Sequence, residues 1–429
     1  MKKQNLGKSL CRLIMAVAIM TFSLQAMADG FSYTYQGKTL DYIITSDSTV
    51  ELGTFQNKTL SGKVSIPASI EHNGTTYSVT SIACETFVDC SITSVTIPNS
   101  VISIELGAFS CNYNLTAINV ASGNKHYSSI GGVLYNYAKD TLILCPQGKT
   151  QVTIPNSVTT IGIMAFDHCR RLTSIKIPNS VISIEDAAFY RCHNLTSVII
   201  GSRVKYIGDV AFRGCGLSSI TIPNSVTTIG SSAFGECGLV SVTIGSGVTY
   251  IGAGAFCQLL GSCVLEFQPE EAFRLKSINV VSGNKHYSSI NGVLYSYAKD
   301  TLIQCPSAKT SFVIPNSVTT IGADAFEGCC RLTSVTIPNS VTTIGSSAFA
   351  FCVGLTSIKI PDNVTTIEDR AFWACNRLTT IKIPKNVTYI GDEAFACCSR
   401  LTSITIPNYT YVVNNAFDNC DSLTSITRY

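Results

Sequence analysis

Along most of this chain the apolar and polar positions repeat as one phrase. In "LTSVTIPNSVTTIGSSAFAFC", from Leu332 to Cys352, the apolar Leu332, Val335 and Ile337 are separated by polar Thr333, Ser334 and Thr336, and Pro338 ends the run. That alternation, with its β-branched content, predicts a short strand with one buried face. "VTTI" (Val341 to Ile344) predicts a second, shorter strand, and Gly345 a tight bend that a side chain would resist. "SSAFAFC" is too short for a helix proper and is expected to form a helical turn that plants Phe349 and Cys352 inward.

Aligning the Ala-Phe pairs places equivalent phenylalanines at Phe87, Phe109, Phe166, Phe189, Phe212, Phe234, Phe256, Phe326, Phe349, Phe372, Phe395 and Phe417, mostly 22 or 23 residues apart. The period falls in the leucine-rich-repeat range of about 20–29 residues. One copy cannot bury its own interior, because both flat sides face water. Stacked copies cover one another, so identical phrases put like side chains above like.

The pattern L-T-S-[VI]-x-I-P-x-[SN]-V-T-x-I-[GE]-x-x-A-F-x-x-C resembles the BspA-like, treponemal-type leucine-rich repeat of bacterial surface proteins, from about Ser81 to Tyr429. The resemblance implies a β-rich solenoid: a right-handed leucine-rich-repeat superhelix with short parallel strands and short helical turns. It also implies a secreted or surface location and a role in adhesion or partner binding, with no catalytic residues. Residues 29–80 lack the Ala-Phe phrase but are rich in Tyr, Thr, Ile and Val, and resemble the β-type N-terminal cap of that family; residues 81–429 are then the solenoid.

Two segments break the period alike: "NVASGNKHYSSIGGVLYNYAKDTLILCPQGKT" (119–150) and "NVVSGNKHYSSINGVLYSYAKDTLIQCPSAKT" (279–310). In each, "GVLY" and "TLIxCP" predict two strands joined by a short turn. Family members carry similar elements, usually with an aromatic residue where Cys145 and Cys305 stand here. A further compression after Phe256 predicts a local distortion around Gly261 to Glu271.

The first residues change the picture of location. Lys2, Lys3, Lys8 and Arg12 precede an apolar run from Leu13 to Leu24 and small residues at Ala26 and Ala28, the layout of a signal peptide spanning 1–28. A run of about a dozen residues is too short to span a bilayer, and no longer one follows, so the mature chain is expected to lack a transmembrane helix. Loss of those four basic residues takes the formal net charge from +3 to −1, which leaves no electrostatic footprint for nucleic acid. With 13% charged residues, the surface must be built largely from Ser, Thr and Asn.

Nineteen cysteines raise the question of metals and disulfides. Ten of them, including Cys90, Cys192, Cys215, Cys352 and Cys420, sit three residues after a repeat Phe, and no C-x-x-C pair is present, so no metal site is expected. The spacing suits an inward ladder of reduced thiols. Bridging of adjacent coils stays open, since sheet spacing lies within disulfide reach and export favours oxidation. His126 and His286 occupy the same place in the two "NKHYSS" stretches, where a Lys-His-Tyr site competes with a plain surface loop. Carboxylates before Ala-Phe, such as Glu185-Asp186 and Glu368-Asp369, fit the positive end of a helical turn. No nucleophile triad, phosphate loop or paired-carboxylate signature appears, so neither catalytic residues nor a cofactor are expected.

Binding is therefore the function to locate. The central outward position of the first strand reads Thr96, Lys176, Ile199, Thr221, Thr243, Thr336, Lys359, Lys382, Thr405 and Thr427, beside a column of Ser. This predicts a hydroxyl-rich face interrupted by Lys176, Lys359 and Lys382. A second candidate is Trp373, the only tryptophan, with Phe351 from the previous coil and Arg370 and Arg377 near. The expected partner is a host or bacterial surface protein, an extracellular-matrix protein or a glycan. The alternative is a structural envelope or extracellular scaffold that self-associates.

Overall fold

The computed structural model describes residues 30–53, 60–258 and 274–429. The leader reading of residues 1–28 and the distortion expected around Gly261 to Glu271 lie outside these. The chain divides into two compact units, Met1–Thr173 with Arg191–Asn194, and Ser174–Tyr190 with Leu195–Tyr429. Each is built of stacked β-coils, as in a β-solenoid.

In the second unit the phrase folds with its apolar positions inward. Strand Ser334–Thr336 pairs in parallel with Ser311–Val313, and Thr380–Lys382, Ser403–Ile406 and Ser425–Arg428 run side by side with Ser403 on Ser425 and Ile404 on Ile426. The "VTTI" pieces form the longer ladder although each is only two residues: Thr320–Ile321, Thr343–Ile344, Thr366–Ile367, Tyr389–Ile390 and Tyr411–Val412 pair in parallel, Ile beside Ile until Ile390 meets Val412. The period of the sequence thus becomes a spatial register, and the isoleucines of this column are buried.

Behind these strands Phe326, Phe349, Phe372 and Phe395 stack with ring centroids 4.8, 5.3 and 5.2 Å apart and planes within 10°. Those separations belong to offset stacking, which adds to the area each ring removes from water. Phe349 is fully buried between two such neighbours. Phe349→Ala is expected to cost about 3–5 kcal/mol, because the void opens inside a column that cannot collapse around it. Urea unfolding checks the value, and a loss under about 1 kcal/mol would contradict the packing.

The expected helical turn is not there. N–H groups of Ala348, Ala350 and Cys352 bond three residues back within the coil, while those of Ser347, Phe349 and Phe351 reach the carbonyls of Asp369, Ala371 and Trp373 in the next coil at 2.8–2.9 Å. A helix points every N–H along its own axis. Here Ser347 and Phe351 take left-handed φ values of 53° and 58°, which turns alternate N–H groups outward into a third inter-coil ladder. Each left-handed residue costs roughly 1–2 kcal/mol, offset by the bond it gains to the neighbouring coil. The carboxylates follow suit: Asp186 Oδ1 accepts the N–H of Asp209, and Asp369 Oδ1 that of Asp392, both at 2.8 Å. They link coils instead of facing a helix dipole. Gly345 also has a different reason from the bend expected of it. A Cβ there would sit 2.7 Å from the backbone nitrogen of Ala323, so glycine permits the close approach of successive coils.

Most cysteines three residues after a repeat Phe form a buried inward column, and several of them do more than fill space. Sγ of Cys352, Cys375 and Cys398 donates to the carbonyl of Phe326, Phe349 and Phe372 in the preceding coil, at 3.3, 3.3 and 3.2 Å. In the first unit Asn112 supplies the same service through Nδ2 to the Phe87 carbonyl, and in the second Gln258 does so for Phe234 at 3.2 Å. The column therefore holds small donors to a buried carbonyl, which explains why Cys alternates with amides there. Cys237, Cys352, Cys375 and Cys398 are thiols, not disulfides.

The first unit begins with antiparallel strands Gly30–Tyr35, Lys38–Ser46 and Thr49–Leu52, the last parallel to Thr75–Ile82. Ser61–Ser65, Ser91–Ile97 and Ala117–Val120 form a parallel sheet, with Phe87 stacked on Phe109 at 5.2 Å behind it. The period-breaking segment is an antiparallel meander, Tyr127–Ile130, Val133–Asn136 and Thr141–Leu144, whose last strand rejoins the parallel order beside Thr160–Ile161. The second unit repeats this meander at Tyr287–Ile290, Val293–Ser296 and Thr301–Gln304.

Candidate binding surface

Which polar groups are available to a ligand depends on which ones the fold already uses. The Thr of "LTS" is used: Thr333, Thr402 and Thr424 donate their hydroxyls to Thr310, Thr379 and Thr402 carbonyls one coil back, at 3.0–3.3 Å. The first Thr of "VTTI" is used likewise, as in Thr342 to Thr319 and Thr388 to Thr365, both 3.3 Å. These hydroxyls extend the inter-coil ladders. The central outward column is different, for Thr221 and Thr336 are exposed and leave their hydroxyls to solvent.

The lysines interrupt that column as the alternation predicts. Lys176 is exposed at the end of strand Ser174–Lys176 and lies opposite Ile199, itself 60% exposed. Lys382 is exposed on Thr380–Lys382 beside Thr405. Lys359 is exposed one coil earlier, on a segment without strand pairing. Lys382 is not wholly free: its Nζ lies 5.4 Å from the ring centroid of Tyr429, whose hydroxyl donates to the Ile383 carbonyl at 2.8 Å. A cation over a tyrosine face is held by the ring quadrupole, so Tyr429 orients this ammonium.

The aromatic candidate forms a compact group. Phe351, buried, meets half-buried Trp373 edge-on, with ring centroids 4.6 Å apart and planes at 70°. Ala350 and Ala374 pack beside them. The Arg370 guanidinium lies 5.5 Å from the Trp373 ring centroid, and its Nε donates to Glu393 Oε2 at 2.6 Å. Arg370 is thus fixed between an aromatic face and a carboxylate, with its planar face partly open. Arg377 is exposed in the turn before Thr380–Lys382, and no hydrogen bond or ring contact joins it to this group. The candidates fall into two sets, one on the strand face and one on the turn edge. Glu393 and Tyr429 were not singled out by sequence, although Glu393 holds the Arg370 position one coil later, where opposite charge at the repeat spacing was the available signal.

The "NKHYSS" stretches divide their residues between structure and surface. Buried Asn124 donates Nδ2 to the carbonyls of Pro98 and Val101, while its Oδ1 accepts the N–H groups of His126 and Tyr127. Asn284 makes the same four bonds, to Gly245, Val248, His286 and Tyr287. The Tyr127 and Tyr287 hydroxyls turn inward and accept the N–H groups of Ile104 and Ile251, both at 3.0 Å. His126 and His286 stay exposed. The Tyr of this trio is therefore a framework residue.

Among the described residues, no group of three or more His, Cys, Asp or Glu side chains is placed to hold a metal ion, and no helix is long and apolar enough to cross a membrane.

The family model described as BspA type Leucine rich repeat region matches six copies over residues 55–139, 145–261 and 298–424, well over half of the chain. Among solved structures, the chain is similar to a leucine rich cell surface protein from Faecalibacterium prausnitzii A2-165, at 29% identity and a TM-score of 0.58, with 93% of this chain and 94% of that one covered. A leucine-rich repeat protein from Eubacterium ventriosum ATCC 27560 matches at 23% identity and a TM-score of 0.55, covering 93% and 85% of the two chains, and shares the fold. No curated protein matches.

Proposed function

The chain belongs to the BspA-type leucine-rich repeat family, and from that premise we propose that it is a non-catalytic binding protein, exported or exposed at the cell surface, that adheres to a macromolecular partner through its repeats. The partner class is a host or bacterial surface protein, an extracellular-matrix protein or a glycan. Residues 1–28 act as the export signal in this reading. Strands Gly30–Tyr35 and Lys38–Ser46 serve as an N-terminal cap that shields the first coil of residues 81–429.

One observation carries the reading. Inter-coil ladders consume the flanking hydroxyls, yet the register leaves Thr336, Lys359 and Lys382 pointing to solvent in successive coils. The side chains of this exposed polar column take no part in the inter-coil ladders, and of these three only Lys382 is engaged, over the Tyr429 ring. Trp373 and Arg370 add an aromatic and guanidinium pair of the type that anchors protein interfaces. A low charge density suits modest affinity per contact, raised by many contacts made together.

The test is binding of the mature chain to immobilised matrix proteins and to glycan arrays, compared with a K359A/K382A/W373A variant. A fall of about tenfold or more in affinity is expected if these residues contribute as interface anchors. Unchanged binding by the variant would remove this face from the proposal. Concentration-dependent assembly in light scattering, without binding to any surface component, would favour a self-associating scaffold instead.

A further inference from the structure

The two meanders present one exposed residue set twice. Lys125, His126, Tyr137 and Lys139 are exposed in the first, and Lys285, His286, Tyr297 and Lys299 in the second. Tyr137 and Tyr297 are 55% and 56% accessible. The Tyr137 N–H donates to the His126 carbonyl and the Tyr297 N–H to the His286 carbonyl, each at 2.8 Å. Each bond continues the antiparallel pairing by one residue, which sets the His and Tyr positions opposite one another in the backbone.

The backbone beneath these side chains is pinned at every turn. Asn124 and Asn284 fix the incoming strands by the four bonds described above. The Lys139 and Lys299 N–H groups donate to the Asn136 and Ser296 carbonyls at 3.0 Å. Their own carbonyls accept the hydroxyls of Ser157 and Ser317 from the following coil, at 2.8 and 3.0 Å. The nearest carboxylate is turned to local work: Asp140 Oδ1 accepts from Asn136 Nδ2 at 2.6 Å and Thr141 Oγ1 at 3.1 Å. Asp300 Oδ1 accepts from Ser296 Oγ at 2.7 Å and Thr301 Oγ1 at 3.1 Å. The two ammonium groups of each tip are left without a carboxylate partner among these contacts.

The two copies differ at six positions, in framework and tip alike. Ala121, Gly131, Asn136, Leu144, Gln147 and Gly148 of the first are Val281, Asn291, Ser296, Gln304, Ser307 and Ala308 in the second. The Asp is anchored by an amide in one copy and a hydroxyl in the other, so the support has two solutions. The exposed Lys, His, Tyr and Lys are the same in both.

We propose that each tip binds an anionic sugar unit, with the lysines on a sulfate or carboxylate group and the tyrosine ring against the apolar face of the pyranose. The ligand class is an anionic polysaccharide. A polymer that repeats one charged unit is the natural counterpart of a chain that carries one site twice, since each additional engaged site raises the overall affinity. This proposal is independent of the strand-face reading above and concerns a different surface.

The test measures binding of the mature chain to immobilised heparin, with uncharged dextran and inorganic polyphosphate as comparison ligands. Charge removal at one tip (K125Q/K139Q or K285Q/K299Q) is expected to lower heparin affinity about tenfold, and at both tips by about a hundredfold. Y137A/Y297A is expected to weaken heparin binding while leaving polyphosphate binding unchanged, because only the sugar offers a face to stack on. All these side chains are exposed, so unfolding midpoints should stay at the wild-type value. Heparin binding unaffected by the four-lysine substitution overturns the proposal, as does equal retention of heparin and polyphosphate by Y137A/Y297A. If K359A/K382A/W373A loses heparin while the tip variants keep it, the strand face is the glycan site and only the tip proposal fails.

Discussion

Asn284→Ala is expected to destabilise the second unit by about 2–6 kcal/mol, because one substitution orphans two buried carbonyls that each cost roughly 1–3 kcal/mol unpaired, and also removes the acceptor of two part-buried N–H groups. Asn284 is 4% exposed, and its amide satisfies the carbonyls of Gly245 and Val248 while its carbonyl oxygen satisfies the N–H groups of His286 and Tyr287. Asn284→Asp discriminates packing from polarity: it keeps the shape but sets a carboxylate oxygen against two carbonyls, so it should be as damaging as Ala. Urea unfolding at neutral pH reads both variants, and a near-neutral Asn284→Asp would show that the amide is not bonded as described.

Raising the pH above about 9 is expected to unfold the same unit steeply. Burial pushes the Cys237 and Cys375 thiols up to about 12, and Cys352 well above its ordinary value. An unfolded thiol ionises near 8.5. The folded pKa is the higher one, so the stability these groups contribute is complete below about 8.5 and is lost as the pH climbs towards the folded value. Each retained proton changes stability by at most about 1.4 kcal/mol per pH unit, so the three together approach about 4 kcal/mol per unit. Thermal midpoints between pH 7 and 11 check this. Cys352→Ser keeps a donor for the Phe326 carbonyl but does not titrate in this range, and should flatten the profile; a wild-type midpoint level to pH 11 would refute the mechanism.

The inward positions were legible in the sequence because burial leaves a period-two signature in "LTSVTI" and a 22- or 23-residue signature in Ala-Phe. Register followed from repetition alone, since side chains equivalent in sequence become neighbours in space. The turn geometry was not legible. "SSAF" has no glycine to announce a left-handed residue, and Ser347 adopts that conformation only because Asp369 of the next coil offers a carbonyl to its N–H. The role of Gly345 was missed for a related reason: its constraint comes from the preceding coil, not from its own dihedral angles. Likewise the cysteine column could be read as inward, while its task as a donor depends on a carbonyl 26 residues away, as between Cys352 and Phe326.

For the candidate sites, the sequence identified which residues face out on a strand but not which outward groups the framework had already claimed. Thr333 and Thr336 are equally polar letters of one phrase, yet Thr333 is bonded to Thr310 and Thr336 is not committed. The hairpin tips were legible only in part: the Lys-His-Tyr run marked His126, but Tyr137 comes opposite it only when the meander folds back. Tyr127, adjacent in sequence, turns the other way.

The alternating N–H ladder of the turn segment has one more consequence. In the coils of Phe326, Phe349 and Phe372 it presents donors and acceptors in one repeated order, so the seams between these neighbours are interchangeable. A gene that gains or loses one copy of the 22- or 23-residue unit hands on a protein whose remaining seams still match, and the length of such a molecule can change by recombination without any step of redesign.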